Sequence, residues 1–383
     1  MAVMLSLTTE LFAQTTNTTE DIPLNPFPDG YYRIYNFKTG RHATLVDGKG
    51  SLVVNGTSFK YDLGALKLKD SFDDVVDDPG AIIKFTYDDT GTKTQLRGYY
   101  MQAQGVNTKD IINRAMKLWE GNIEEGYYVP YAKEGVAMGY LCDNNGQFAP
   151  VANAAKAINR FWYIKPVKNE SGDYFGVKPT MQAGGKYYTT LYAEFPFQLS
   201  SGVKAYYVNA VNSDGSVNLV EIKNKVPEAT PVILECNSQN AVDNKLLPLM
   251  ETVPAVSGNL LKGVYFCMYE KIRTYSHYNR TKFDATTMRV LNVAYGKISF
   301  GKNTSGNVTF SNTSGTFIPH NTAYLDISSV TDKKDSYEMY TSGISDVKID
   351  PSTDSRIYDL HGRVVENPTR GIYIRNGKKF VVK

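Results

Sequence analysis

Histidine, cysteine and tryptophan are scarce in this 383-residue chain, at four, three and two copies. The histidines, His42, His277, His320 and His361, lie in separate segments, and none has the spacing of a zinc motif such as H-E-x-x-H. G-x-S-x-G, the P-loop and the dinucleotide fingerprint are also missing, and the glycines of "QAGGKYY" sit in a turn between strands. No catalytic centre, metal or cofactor is therefore expected. Cys142, Cys236 and Cys267 are too few and too scattered for a disulfide framework; Cys236 in "PVILEC" and Cys267 in "GVYFC" read as buried strand thiols. No charge of one sign dominates: 42 Lys plus Arg stand against 39 Asp plus Glu, without a long like-charged block, which argues against nucleic acid or anionic lipid as partner. No stretch approaches the roughly 18 apolar residues of a membrane span.

What is abundant is Tyr (28), Phe (17) and Gly (31), a composition suited to half-buried strands joined by turns. The expected fold is mostly β. The start, "MAVMLSLTTELFAQ", has a short apolar stretch and a small-residue cleavage position after Ala13, but no positive n-region, and Glu10 interrupts it. Residues 1–24 thus read as the back half of a secretory signal plus leader, with a disordered leader or small strand as the alternative. The expected location is secreted or on the outer cell surface.

From residue 25 the pattern becomes strands and turns, "DGYYRIYNFKTGRHATLVDGKGSLVV" turning at Thr39-Gly40 and Asp47-Gly48-Lys49-Gly50. Gly-Tyr-Tyr returns at Gly98 and Gly126, suggesting a threefold repeat. "AIIKFTYD" and "RFWYIKPV" read as further strands. In "TKDIINRAMKLWEG", Ile111, Ile112, Ala115, Met116 and Trp119 share a helical stripe that Thr108 and Gly121 can cap, and "PVANAAKAINR" predicts a second helix from Pro150. Residues 25–167 resemble the ricin-like β-trefoil family in length, in "GYYRIYNFKTGRHATL" as a first hairpin and in "FWYIKPV", whose Trp162 stands where that family closes a repeat. The Gln-x-Trp signature is absent and the repeats are unequally spaced. The alternative is another helix-decorated β domain.

Residues 168–330 read as a β-sandwich or barrel. "GVKAYYVNAVNSDGSVNLVEI" predicts a long hairpin turning at Asp214-Gly215, with Val203, Ala205 and Tyr207 on one face. Short strands follow in "PVILEC", "NLLKGVYFCM", "MRVLNVAYGKISFGKN", "SGNVTFSN" and "TFIPHNTAYLDIS". The run of "YYTTLYAEFPFQL", "GVKAYYVNAV", "VPEATPVILEC", "NLLKGVYF", "RTKFDATTMRVLN" and "GTFIPHNTAYLDI", in this order, resembles a broad group of uncharacterised secreted proteins of Bacteroidota. That resemblance implies a compartment and no activity.

Residues 331–355 read as a polar linker, and residues 356–383 as a small unit of two hairpins, "RIYDL" with "RVV" around His361-Gly362 and "IYIR" with "KKFVV" over Asn376-Gly377. Ile372 and Ile374 alternate, as do Phe380 and Val382, giving each hairpin an apolar face to bury. This end resembles the C-terminal sorting domain of type IX secretion at Tyr358, Asp359, Gly362, Arg363, Gly371, Tyr373 and Lys379, which implies export machinery as a partner. An ordinary docked terminal hairpin is the alternative.

Asp73, Asp74, Asp77 and Asp78 in "DSFDDVVDDPG" match no defined calcium loop and read as a solvated surface loop. Tyrosine pairs recur, and adjacent strand residues face opposite sides, so one ring of each pair is expected in the core and the other in water. Tyr31, Tyr32, Tyr127, Tyr128 and Trp162 are the candidate ligand-binding residues, since exposed aromatic rings stack on sugars or peptides. The reading is a β-rich binding protein for a glycan or surface polymer. Its alternatives are a structural or adhesive spacer and a glycan hydrolase with a carboxylate-lined cleft.

Overall fold

The computed structural model describes residues 28–46, 50–54, 57–61, 65–88, 98–103, 106–107, 117–122, 127–134, 137–151, 158–168, 173–264, 281–294, 307–339, 357–358, 365–366, 368–369, 371–375 and 378–382. The protein is mostly β; among the described residues the only helices are three 3-10 turns of three residues each. The chain divides into two compact units after Met339.

The first strand, Gly30–Asn36, organises the N-terminal part. One edge pairs with Trp162–Pro166, Ile34 lying opposite Ile164. The other edge is shared: Gly30–Tyr32 face Ile83–Phe85, and Tyr35 faces His42. Pairing then passes through His42–Val46, Ala65–Lys69, Gln147–Val151, Ala137–Asn144 and Tyr127–Glu134 back to Trp162–Pro166, a closed ring of seven strands. Alternation sends Tyr32, Ile34, Trp162 and Ile164 to one buried face, where Tyr32 meets Phe85 edge-on at 5.5 Å. Asn36, fully buried, holds the first turn: its Oδ1 accepts from the Lys38 and Thr39 N–H groups, and its Nδ2 donates to the Asn159 carbonyl at 2.8 Å. Gly40, at φ +70, completes that turn, as its sequence position predicts.

Neither expected helix is confirmed, and the parts of them at 117–121 and 150–151 are strand. Lys117–Asn122 is a strand, with Trp119 opposite Val129 in Tyr127–Glu134. Gln147–Val151 is a strand opposite Ala137–Asn144, with Pro150 facing Leu141. The helical stripe from Ile111 to Trp119 contains residues that suit strands equally well, and a pairing partner outweighs intrinsic preference. Residues 108–116 and 152–157 lie outside the described set.

From residue 173 a four-stranded sheet, Phe175–Gly176, Lys245–Pro248, Phe197–Leu199 and Lys225–Val226, covers one face of a ten-stranded sheet. In the large sheet Val232–Cys236 is an inner strand, buried along its length. Val232, Leu234 and Cys236 pack with Phe175, Phe197, Val226 and Leu246; Ile233 packs on the opposite side with Tyr206, Phe310, Leu325 and Tyr337. The second core exists because the sheet curls into a half-barrel. The Tyr192 N–H reaches the Asn321 carbonyl at 2.9 Å, and the Ala323 N–H reaches Thr190 Oγ1 at 3.1 Å. Glu235, buried beside Ile233, accepts from the Tyr188 hydroxyl at 3.1 Å.

Two expected boundaries also move. Ser336–Met339 is a strand between Ser216–Ile222 and Asn307–Ser311, with Tyr337 and Met339 buried, so no linker begins at 331. Residue 168 is no break either: Ile82 and Val167 belong to the same buried cluster as Phe175 and Leu246, and the Gly176 N–H donates to the Val76 carbonyl at 3.0 Å.

The second unit is a three-stranded sheet of Ile357–Tyr358, Gly371–Arg375 and Lys378–Val382. Arg375 opposes Lys378, so the last two strands join through two residues, as Asn376-Gly377 predicts, although both lie outside the described set. The first strand pairs with Gly371–Arg375, Tyr358 opposite Ile374, and the Val365 N–H donates to the Ile357 carbonyl at 2.8 Å, a contact between the two arms of the expected first hairpin, whose turn lies outside the described set. The buried contact is Tyr373 against Phe380, whose ring centroids lie 6.0 Å apart. Ile372 and Val381, paired on the other face, are exposed.

Candidate functional site

The same alternation that fills the barrel aims Tyr31, Arg33 and Tyr35 at its outer side, with Phe37 following. Antiparallel pairing brings Tyr163 opposite Tyr35 and Lys165 opposite Arg33. The result is an unbroken ribbon of seven rings. Phe161 meets Phe37 at 6.3 Å, Phe37 meets Tyr163 at 5.6 Å, and Tyr163 meets Tyr35 at 4.9 Å. Tyr35 stacks on His42 at 4.9 Å, His42 contacts Phe72 at 5.8 Å, and Phe72 meets Tyr174 edge-on at 5.2 Å. Phe37 is 39% exposed, Phe72, Phe161, Tyr163, Tyr35 and Tyr174 are half-buried, and His42 is buried. Cations lie over four of these rings: Arg160 over Phe161 at 5.0 Å, and Lys165 over Tyr163, Lys245 over Tyr174 and Arg33 over Phe72 at 5.1 Å each.

At its Tyr174 end the ribbon opens into a groove of about 510 Å³ lined by Asp73, Tyr174, Lys178, Gln239, Asn240 and Val242. One wall is the acidic loop after Asp70, the other the turn at Ala241–Asp243, so two β bodies contribute to it. Arg33 clamps the walls. Its guanidinium donates to the Val75 carbonyl at 3.0 Å, to Val76 at 3.1 Å and to Tyr174 at 2.8 Å, and stacks over Phe72 at 5.1 Å. Burial pulls its pKa down to about 10, partly offset by Asp78, Asp173, Tyr174 and Asp77, so it remains charged at neutral pH. Across the groove, Lys178 Nζ holds the Asp73 carboxylate at 2.9 Å and the Asp73 carbonyl at 2.7 Å.

The acidic run is internally engaged. Asp74 accepts from Ser71 Oγ at 2.8 Å, and Asp78 caps the turn at Pro79–Ala81 through the Gly80 N–H while also taking the Thr44 hydroxyl. Burial raises the carboxyl pKa values of Asp77 and Asp78. Among the described residues no group of three or more His, Cys, Asp or Glu is placed to hold a metal ion. Burial likewise pushes Tyr35 up to about 12 and His42 down to about 4, the latter helped by Arg33.

The candidate residues of the sequence fare unequally. Trp162 is 0% exposed and Tyr32 buried, its hydroxyl donating to the Pro28 carbonyl at 2.7 Å, so neither ring can stack on a ligand. Tyr31 is half-buried against Phe195 at 5.4 Å, at the seam between the barrel and the sheets that follow. Tyr127 and Tyr128 register with Tyr163 and Trp162, and their side chains lie outside the described set. In the second unit Tyr358, Gly371, Tyr373 and Lys379 occupy strands; Asp359, Gly362 and Arg363 lie outside the described set. Attention to adjacent tyrosines misses Tyr35, Phe37, Phe72, Phe161, Tyr163 and Tyr174. The available signal was period two, an aromatic at 35 and 37 and again at 161 and 163.

Cys142 and Cys236 are buried and unbridged, and burial raises both thiol pKa values. No described helix is long and apolar enough to cross a membrane. Comparison of the chain with protein-family models, curated proteins and solved structures found no match.

Proposed function

We propose that this protein is an exported, non-catalytic glycan-binding protein whose contact surface is the aromatic ribbon and the groove at its end. The ribbon is the observation that carries the reading. Six partly exposed rings, two groups linked through the buried His42, are more apolar surface than a barrel exterior needs, and aromatic rings beside the amides of Gln239 and Asn240 suit a sugar's apolar faces and hydroxyls. The N-terminal barrel is read as trefoil-like because its first strand pairs with its last. The C-terminal unit is read as the export handle, on the resemblance of its sequence.

A glycan array probed with the full chain tests the reading. Saturable binding is expected, reduced about tenfold by Tyr174→Ala or Phe37→Ala, the loss of one stacked ring, with melting nearly unchanged. A background-level array favours the spacer alternative. Export is tested separately by fractionating cells that express residues 1–339: retention in the periplasm supports the handle, and normal secretion rejects it.

A further inference from the structure

We propose that the seam between the barrel and the sheets that follow it carries a proton-operated latch: the Glu194 carboxyl holds the 191–197 segment against the barrel while it is neutral and loosens it when ionised. This segment carries the chain from the large sheet to the four-stranded one. Leu191, Ala193, Phe195 and Phe197 lie in the core that the two bodies share, and Phe195 meets Tyr31 of the first strand at 5.4 Å and Phe175 at 5.6 Å. Alternation turns Tyr192 and Glu194 the other way. Tyr192 is pinned there. Its N–H reaches the Asn321 carbonyl at 2.9 Å, and its ring lies so close over Gly263 that a Cβ on that glycine would sit 2.1 Å from it. Its hydroxyl donates to Glu194.

The carboxyl is otherwise short of partners. Glu194 is half-buried, and its Oε1 is buried with no hydrogen bond. Besides Tyr192, the group that acts on it is a like charge, Glu228, in the loop that follows Lys225–Val226. The next residue of that loop, Ala229, donates its N–H to the Ala193 carbonyl at 2.9 Å and sits at φ +50, a left-handed conformation unfavourable for a residue with a Cβ. From the barrel, Tyr31 faces the same loop: its phenol is pushed up to about 12 by burial and by Glu228, so it stays neutral, and Lys84 lies over its ring at 6.0 Å. Among the described residues no cation acts on Glu194. Its ionised form is therefore a desolvated charge beside another of the same sign, with one donor for two oxygens. Burial, with Glu228 adding to it, lifts the carboxyl to about 7 against the Tyr192 hydrogen bond. In a loosened segment the carboxyl returns to its ordinary range. The opening constant then rises by up to about tenfold per pH unit between roughly pH 4.5 and 7, and levels off above.

The test is native-state hydrogen exchange on the full chain, followed at the Tyr192 and Ala229 amides, with the amides of Val232–Cys236 as reference. After correction for the intrinsic exchange rate, protection at Tyr192 and Ala229 is expected to fall at least about tenfold between pH 5 and 7.5. It should also be insensitive to low urea that already lowers the protection of the reference strand, the mark of a local opening. Glu194→Gln should remove the pH dependence at both amides. Glu228→Gln should shrink it, and keeps the question answerable if the first variant fails to fold. Protection that does not change with pH, or a change that Glu194→Gln retains, overturns the latch. A urea dependence equal to that of the reference strand also overturns it, because the segment would then open only with the whole fold.

Discussion

Two titratable side chains, the buried His42 and the half-buried Glu194, make opposite demands on the folded state. His42, with its Nδ1 lacking a hydrogen bond and its ring between Tyr35 and Phe72, has its pKa depressed from 6.5 to about 4. Its neutral form is the folded form, so stability present above about pH 6.5 drains away as pH falls toward 4, at no more than about 1.4 kcal/mol per pH unit. Glu194 runs the other way. Burial lifts its carboxyl from 4.5 to about 7, against the hydrogen bond from Tyr192 and with help from Glu228. The folded state therefore binds that proton more tightly, and stability present below about pH 4.5 is lost as pH rises to about 7. Glu194→Gln should accordingly raise the melting temperature at pH 8 relative to the parent by one to a few degrees, and change it least at pH 4.5. His42→Phe should show the reverse pattern, its gain concentrated below pH 5. A pH-independent offset for either variant would remove that residue from the account.

Among the elements, two segments beside the groove pack with no room for a side chain between them. A Cβ on Gly176 would sit 2.3 Å from the Ala241 carbonyl oxygen, a backbone atom that cannot swing away. Gly176→Ala should thus cost about 1–3 kcal/mol and displace the 241–243 turn, weakening glycan binding as well as lowering the melting temperature. An unchanged melt would mean that the two segments part easily. How much of such detail a sequence discloses depends on how local its cause is. The 203–222 hairpin was legible because Asp214-Gly215 is a self-contained signal: Asp214 accepts from Ser216 at 2.8 Å and Gly215 adopts φ +91. The strand at Ser336–Met339 was not, since it holds two apolar residues in a polar stretch and owes its conformation to the distant strands Asn307–Ser311 and Ser216–Ile222. Trp162 misled for a related reason. Its type suits a ligand platform, but its parity with Ile164 commits it to the core, whereas the neighbours of opposite parity form the ribbon.

At the scale of the whole molecule, the barrel and the sheets that follow it share a core and a clamp, and the candidate groove belongs to both. Residues 28–168 alone would uncover Ile82, Val167 and Tyr31 and leave Arg33 without the Tyr174 carbonyl, a buried charge short of acceptors. They would also lack Tyr174, Lys178 and the 239–242 wall. A fragment of residues 28–339 keeps every one of these contacts, while one ending at 335 removes Tyr337 and Met339 from the middle of the large sheet and exposes the edges of its two neighbours. The expected order is therefore specific. The 28–339 fragment should melt cooperatively, within a few degrees of the full chain, and bind the same glycan; the 28–335 fragment should aggregate. The 28–168 fragment should melt lower and lose binding. Thermal melting with light scattering, followed by the glycan array, separates these outcomes. Full-strength binding by residues 28–168 would place the site on the barrel alone and sink the groove as its second half.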